Sequence, residues 1–230
     1  MDNFQFNSKA ETLNKLRKYK LDFKIPKFFF FTVNNWNNSQ EEIFIRIFNL
    51  FSKKKIIIRS SSLQEDKEDY SAAGKYQSIV IKSYTKEKIK KKIEEIIKDF
   101  KKKDKKSYLK NQIIIQEYIS NISISGVAFT HDIETGSPYY VVNYDDNSNK
   151  TESVTSGKGE DSNKKLYIYR KSTNKIKSLR FKRLIKSIIN LEKVLNIKYL
   201  DIEFAVDKNF TVYLFQVRPI SSKSKWQKVD

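Results

Sequence analysis

Apolar positions return along this chain in three rhythms, and each marks a different kind of element. Leu13 and Leu16, then Ile43, Ile47, Leu50 and Phe51, then Ile89, Ile93, Ile96, Ile97 and Phe100 recur at three- and four-residue intervals, the spacing of one helix face. Ser8-Lys9-Ala10-Glu11 and Ser39-x-x-Glu42 precede the first two stripes with the pattern of a capping box, and the spacing predicts further helices over 85–103 and 178–195. Short unbroken apolar runs predict strands at Phe28–Val33, Ile56–Ile58 and Ile113–Ile119; Ser78–Ile81, Gly126–Thr130 and Tyr167–Tyr169 read the same way. Strict alternation from Asp201 to Arg218 predicts a β-hairpin. Pro26 breaks the chain before the first strand.

Two stretches keep no rhythm. Arg59 to Gln77 is polar, acidic and small, and Asp145 to Lys164 is loop-like. A connection as long as the first is uncommon inside a compact domain unless it serves a function. The elements together predict an α+β protein in two lobes, residues 1–112 and 113–220, with a polar, linker-like tail at 221–230.

Composition narrows the classes. At 39% hydrophobic and 13% aromatic, the 230 residues carry enough apolar surface for a core, which excludes a disordered chain. No apolar run approaches the roughly 18–20 residues that span a bilayer. Met1-Asp2-Asn3 opens no basic-then-apolar leader, so a cytoplasmic protein is expected. The absence of cysteine excludes disulfides, thiolate metal sites and cysteine nucleophiles.

The formal charge of +19, from 46 Lys and Arg against 27 acids, raises the question of a nucleic-acid partner. Residues 82–110 hold 13 Lys and five acids, and residues 164–198 hold 12 Lys and Arg with the single acid Glu192; the rest of the chain is balanced. Both segments are largely helical in this reading, which makes them solvated lysine faces. The aromatic interleaving that single-strand binders stack on bases is missing from 82–106, so neither a nucleic acid nor a membrane is expected as partner.

Chemistry gathers at the hairpin. Alternation sets Asp201 and Glu203 on one face of its first strand, and Gln216 and Arg218 on one face of the second. With a two-residue turn at Lys208-Asn209, Asp201 lies across from Gln216 and Glu203 across from Leu214, with Gln216 on the diagonal. Carboxylate and amide oxygens suit Mg²⁺ and the guanidinium suits phosphate, although an ordinary half-exposed ion pair would use the same residues. Arg59, at the end of an apolar strand, is delivered to a loop rich in backbone donors that can hold an anion. Gly74 follows Ala72-Ala73, where backbone can approach a ligand closely.

These segments resemble a known family. Ile57-Ile58-Arg59-Ser60-Ser61-Ser62 with Glu65-Asp66 and Ser71-Ala72-Ala73-Gly74 is similar to the V-R-S-S-x-E-D and S-x-A-G segments of the nucleotide-binding domain shared by phosphoenolpyruvate synthase and pyruvate phosphate dikinase. Ser125-Gly126-Val127-Ala128-Phe129-Thr130 with Thr135-Gly136, and Asp201-Ile202-Glu203 with Leu214-Phe215-Gln216-Val217-Arg218-Pro219-Ile220, resemble its later segments. Ser8-Lys9-Ala10 with Leu13, and Ile25-Pro26, resemble its opening, so the likeness runs in order from residue 9 to 220.

The resemblance implies an ATP-grasp fold with ATP between two lobes. It implies that Lys9 and Arg59 contact phosphate, and that Gly74 and Ser78 belong to the loop covering it. Gln116, Glu117, Tyr118 and Ile119 would border the adenine. Glu203 and Gln216 would hold Mg²⁺, with Asp201 beside them and Arg218 on the phosphate side. Lys9, Arg59 and Arg218 would form the catalytic set.

The family passes phosphate from ATP to a histidine on a separate domain and then to a small-molecule acceptor, leaving AMP and phosphate. The sole histidine here, His131, stands where the family varies, so the carrier domain is expected to lie outside this chain. The glycine-rich family segment appears only as Ser156-Gly157-Lys158-Gly159-Glu160. The opening and the Asp145–Gly157 loop most resemble the L-glutamine kinases of capsule biosynthesis. The alternative is a stand-alone nucleotide-binding module without turnover.

Overall fold

Four consecutive phenylalanines put aromatic rings on both faces of one strand, and the protein builds a core on each side. The computed structural model describes residues 4–52, 54–62, 78–81, 85–146 and 164–220. In it β1 (Phe28–Thr32), β2 (Ile56–Ser61), β3 (Ser78–Ile81) and β4 (Gln112–Glu117) form an antiparallel sheet of order β1-β4-β2-β3. Phe29, Phe31, Ile56, Ile58, Ile113 and Ile115 enter one core with helices α2 (Val33–Asn38), α3 (Gln40–Phe51) and α4 (Lys86–Lys103). Phe28 and Ile114 point to the opposite face, into a second core.

That second core lies under a five-stranded antiparallel sheet of order β7-β6-β5-β8-β9. Its strands are β5 (Ile122–Phe129), β6 (Tyr139–Asp145), β7 (Lys164–Tyr169), β8 (Leu200–Asp207) and β9 (Val212–Pro219). Helix α5 (Leu179–Leu195) contributes Phe181, Leu184 and Ile188, and the N-terminal helix α1 (Lys9–Leu16) contributes Leu13 and Leu16. Residue 24 extends this sheet past β9, because Lys24 N donates to Val212 O (2.8 Å) and Leu214 N donates to Lys24 O (3.1 Å). The α+β class follows directly. Strand β4, beginning where the lobe division was expected, is a central strand of the first sheet, and the chain crosses to the second sheet after Glu117.

Several elements differ from their expected form. Residues 33–38, polar and asparagine-rich, form α2: Thr32 and Asn35 make a reciprocal capping box, and Trp36, 1% exposed, anchors the turn. Ser39 therefore joins two helices, and its side chain caps neither. At α1 the Ser8 hydroxyl does accept from Glu11 N (3.3 Å), but the Glu11 carboxylate accepts from Gln112 Nε2 (2.8 Å) instead of folding back. Strand β6 was not expected at all. It lies between β5 and β7, with Tyr140, Val141 and Val142 all buried, so its sequence lacks the alternation of a half-exposed strand. Among the described residues no helix is long and apolar enough to cross a membrane.

Gly126 of β5 lies opposite Tyr144 of β6. A Cβ there would lie 2.0 Å from the backbone oxygen of Asn143 and 2.9 Å from the Tyr144 Cα, and neither atom is at the end of a flexible side chain. Gly126→Ala is expected to destabilise the protein by about 3 kcal/mol or more, read as a fall in the urea midpoint. A midpoint within error of the wild type would contradict this packing.

Candidate functional site

The hairpin of β8 and β9 carries two irregularities that together keep Gln216 and Arg218 on the expected face but shift their register by two residues. The Asp207 carboxylate accepts from Asn209 N (2.8 Å) and Thr211 N (2.9 Å), which stabilises a loop of three residues, Lys208 to Phe210, with Phe210 at φ 63°. One residue more than a two-residue turn would swing Gln216 and Arg218 to the opposite face of the sheet. A bulge at Phe215 restores them: Phe204 pairs with Leu214, but Glu203 pairs with Gln216 and Asp201 with Arg218. Glu203 thus stands directly opposite Gln216, not Leu214, and Asp201 opposite Arg218, not Gln216. The Arg218 Nε donates to Asp201 Oδ2 at 2.8 Å.

Strand β2 brings the second half of the site. Its alternation commits Ile56 and Ile58 to the first core, so Ile57, Arg59 and Ser61 face the second sheet. Arg59 reaches across. Its guanidinium forms an ion pair with Glu203 Oε2, donates from Nη1 to the carbonyl oxygen of Phe215 (3.3 Å), and lies 5.8 Å from the Phe215 ring centroid. The side chains of Arg59 and Glu203 are only 7% and 20% exposed. Burial alone would raise the Glu203 carboxyl, but the charges of Lys9, Arg59 and Arg218 outweigh it and hold Glu203 at about 2. Lys9, the first residue of α1 and half-buried, belongs to the same cluster through that charge.

The remaining candidates fall at other places. Gln116 shares the face of Gln112 and Ile114 on β4; it is fully buried, and neither its Oε1 nor its Nε2 has a hydrogen-bond partner. Gln216 Oε1 is likewise buried and unpartnered. Glu117 turns away to an ion pair with Lys54 (2.7 Å). Tyr118 and Ile119 follow the end of β4, with Tyr118 N donating to Lys55 O (3.0 Å). Ser78 opens β3 in register with Arg59, and Gly74, like the 221–230 tail, lies outside the described residues. His131, 7% exposed, has Nδ1 3.2 Å from Lys198 O and its ring against Tyr199.

Sequence reasoning missed the Phe215 carbonyl, because a bulge leaves no trace in alternation until its register is known. It also gave no role to Ser61 or Gln112. The first stands in the quoted Arg59-Ser60-Ser61-Ser62 run.

Residues 30–145 match the family described as "Pyruvate phosphate dikinase, AMP/ATP-binding domain". Among solved structures, an L-amino acid ligase from Bacillus licheniformis is similar, with a TM-score of 0.51 at 14% identity over 93% of this chain and 42% of the ligase. An N5-carboxyaminoimidazole ribonucleotide synthetase solved as its ADP complex gives 0.50 at 12% identity over 93% of this chain and 45% of the other. The chain spans about half the length of the solved structures it matches. Such similarity establishes the ATP-grasp fold alone. No curated protein sequence matches the chain.

The charge on Glu203 has a consequence for acid stability. Its carboxyl is held at about 2 against an ordinary value of 4.5, so its contribution is fully present above pH 4.5 and is lost as pH falls towards 2. The depression corresponds to a contribution on the order of 3 kcal/mol. Glu203→Gln should lower the neutral-pH stability, and the gap from wild type should close between pH 4.5 and 2 in urea titrations. A gap that stays constant over that range would exclude this charge cluster.

Proposed function

Because the chain belongs to the pyruvate phosphate dikinase AMP/ATP-binding domain family, with an ATP-grasp fold, we propose that its interlobe cluster binds the polyphosphate of ATP with Mg²⁺ and activates it for transfer to a histidine on a separate domain. AMP and phosphate are the accompanying products, and a small molecule, with L-glutamine the candidate, is the final acceptor. The observation that carries this reading is the convergence of Lys9, Arg59 and Arg218 on an ionised Glu203, with the unpartnered oxygen of Gln216 in direct register beside it.

The donor set fits a hard divalent cation. Glu203 is ionised throughout the neutral range and Gln216 offers a buried oxygen without a partner. A hard cation held by one carboxylate and one amide would take its remaining oxygen ligands from phosphate and water. Glu203 and Gln216 would hold it. When bound, Mg²⁺ neutralises and aligns the phosphate oxygens.

The chain's own groups do the rest. Arg59 is held by a carboxylate and a carbonyl oxygen, the acceptor types that phosphate oxygens replace. Lys9 and Arg218 add positive charge to a site largely shielded from water, where preorganised charge stabilises a transferring phosphoryl group most effectively. Gln116 presents a buried donor and a buried acceptor, the complement of one edge of adenine. Gly74 and Ser78 would belong to the covering loop, Glu117, Tyr118 and Ile119 would border the base through their backbone, and Asp201 would hold Arg218.

ATP with Mg²⁺ should raise the melting temperature, and Arg59→Ala and Glu203→Ala should each remove that rise or its Mg²⁺ dependence. No rise with ATP or ADP would overturn nucleotide binding at this site. A histidine domain added in trans should become labelled from ATP only with Mg²⁺ present; absence of label with a folded, verified partner would favour a binding module without turnover. Separately, Gln116→Leu should leave stability unchanged or raise it while weakening ATP about tenfold, with GTP less affected, in calorimetric titration. Unchanged ATP affinity would remove Gln116 from the base site.

A further inference from the structure

The first turn of α1 is fastened to the two strands that carry the site. Ala10 N, one of the donors that a helix N-terminus leaves without an intrahelical partner, donates to Ser61 Oγ at 3.1 Å. Ser61 is two residues beyond Arg59 on the same face of β2, and is fully buried. Beside it runs a closed ring of three hydrogen bonds. The Ser8 hydroxyl donates to Gln112 Oε1 (2.5 Å), Gln112 Nε2 donates to Glu11 Oε1 (2.8 Å), and Glu11 N donates to Ser8 Oγ (3.3 Å). Gln112 is the register partner of Ser61 across β4 and β2, so both fastenings meet at one end of the first sheet.

Lys9 lies between these anchors in sequence, flanked by Ser8 and Ala10. The body of α1, through Leu13 and Leu16, is packed in the second core. Apolar packing sets the depth of the helix without a preferred direction, whereas the hydrogen bonds made by Ala10 and Glu11 have preferred distances and angles that fix where the first turn lies. We propose that Ser61 and Gln112 are positioning residues: they fix the first turn of α1, and so hold the Lys9 ammonium beside Arg59 and Glu203, where the polyphosphate binds. The inference rests on the reading of Lys9 as a phosphate contact.

The test uses a pair of near-isosteric variants in the full chain, with Mg·ATP affinity measured by calorimetry and folding checked by melting. Ser61→Thr keeps the hydroxyl and Ser61→Val replaces it with a methyl, so the packing change is the same and only the hydrogen bond differs. Ser61→Val and Gln112→Ala are expected to weaken Mg·ATP about five- to tenfold relative to Ser61→Thr and wild type, respectively. In a Lys9→Ala background, itself weakened tenfold or more, neither change should weaken binding further. Losses that multiply with that of Lys9→Ala, or equal affinities of the Thr and Val variants, would overturn the positioning role while leaving Lys9 as a phosphate contact. Unchanged affinity of Lys9→Ala alone would instead overturn the phosphate reading of Lys9, and this inference with it.

Discussion

Arg59 and Glu203 come from different sheets and meet largely out of water, and the rest of the arrangement depends on that meeting. A buried charge left without its partner costs several kcal/mol, far more than an exposed ion pair contributes. The first sheet must therefore present Arg59 where the second presents Glu203. The bulge at Phe215 serves the same contact twice, because it returns Gln216 to the Glu203 face and leaves a carbonyl oxygen for Arg59 to bind. Under the proposed function the pair has a further meaning. Guanidinium and carboxylate stand in for each other's eventual partners, phosphate for Arg59 and a cation for Glu203.

The unpartnered amide of Gln116 and the unpartnered amide oxygen of Gln216 point the same way. A buried amide with no hydrogen bond is costly and uncommon in a folded protein. Both side chains belong to strands of the two facing sheets, and each lies next to a residue committed to a core: Ile115 precedes Gln116, and Val217 follows Gln216. The strand pattern that builds the cores thus also aims polar groups between the lobes.

The large positive charge has a structural distribution. In the second basic segment the lone acid, Glu192, binds Arg170 through both carboxylate oxygens (2.9 and 3.0 Å) and accepts from Tyr140 (2.9 Å), fastening α5 to the sheet. Lys164 and Arg180 pair with Asp146. In the first segment the lysines of α4 line its outer side while Ile89, Ile93, Ile96 and Phe100 fill the core. The site charges, Lys9, Arg59, Glu203 and Arg218, belong to the balanced remainder of the chain. Much of this was legible. Helix stripes, the buried strands of the first sheet and the face shared by Asp201 and Glu203 all follow from local spacing. The asparagine-rich α2 and the doubly buried β6 were not, because a cap and two flanking strands, rather than periodicity, stabilise them.

By itself, then, the sequence determined which residues are candidates for the chemistry and that Asp201 shares a face with Glu203, because side-chain direction has a period of two along an unbroken strand. It also determined the class of fold, through the mixture of helical and strand periods. Only the tertiary structure decided which residues stand opposite one another. A three-residue loop and a one-residue bulge each shift register by one, and their sum set Glu203 against Gln216. Tertiary structure alone also fastened the first turn of α1 to β2 and β4, through hydrogen bonds that Ser61 and Gln112 make to residues 51 and 101 positions earlier in the chain. Contacts over such separations depend on where the sheets come to rest, which no local pattern encodes.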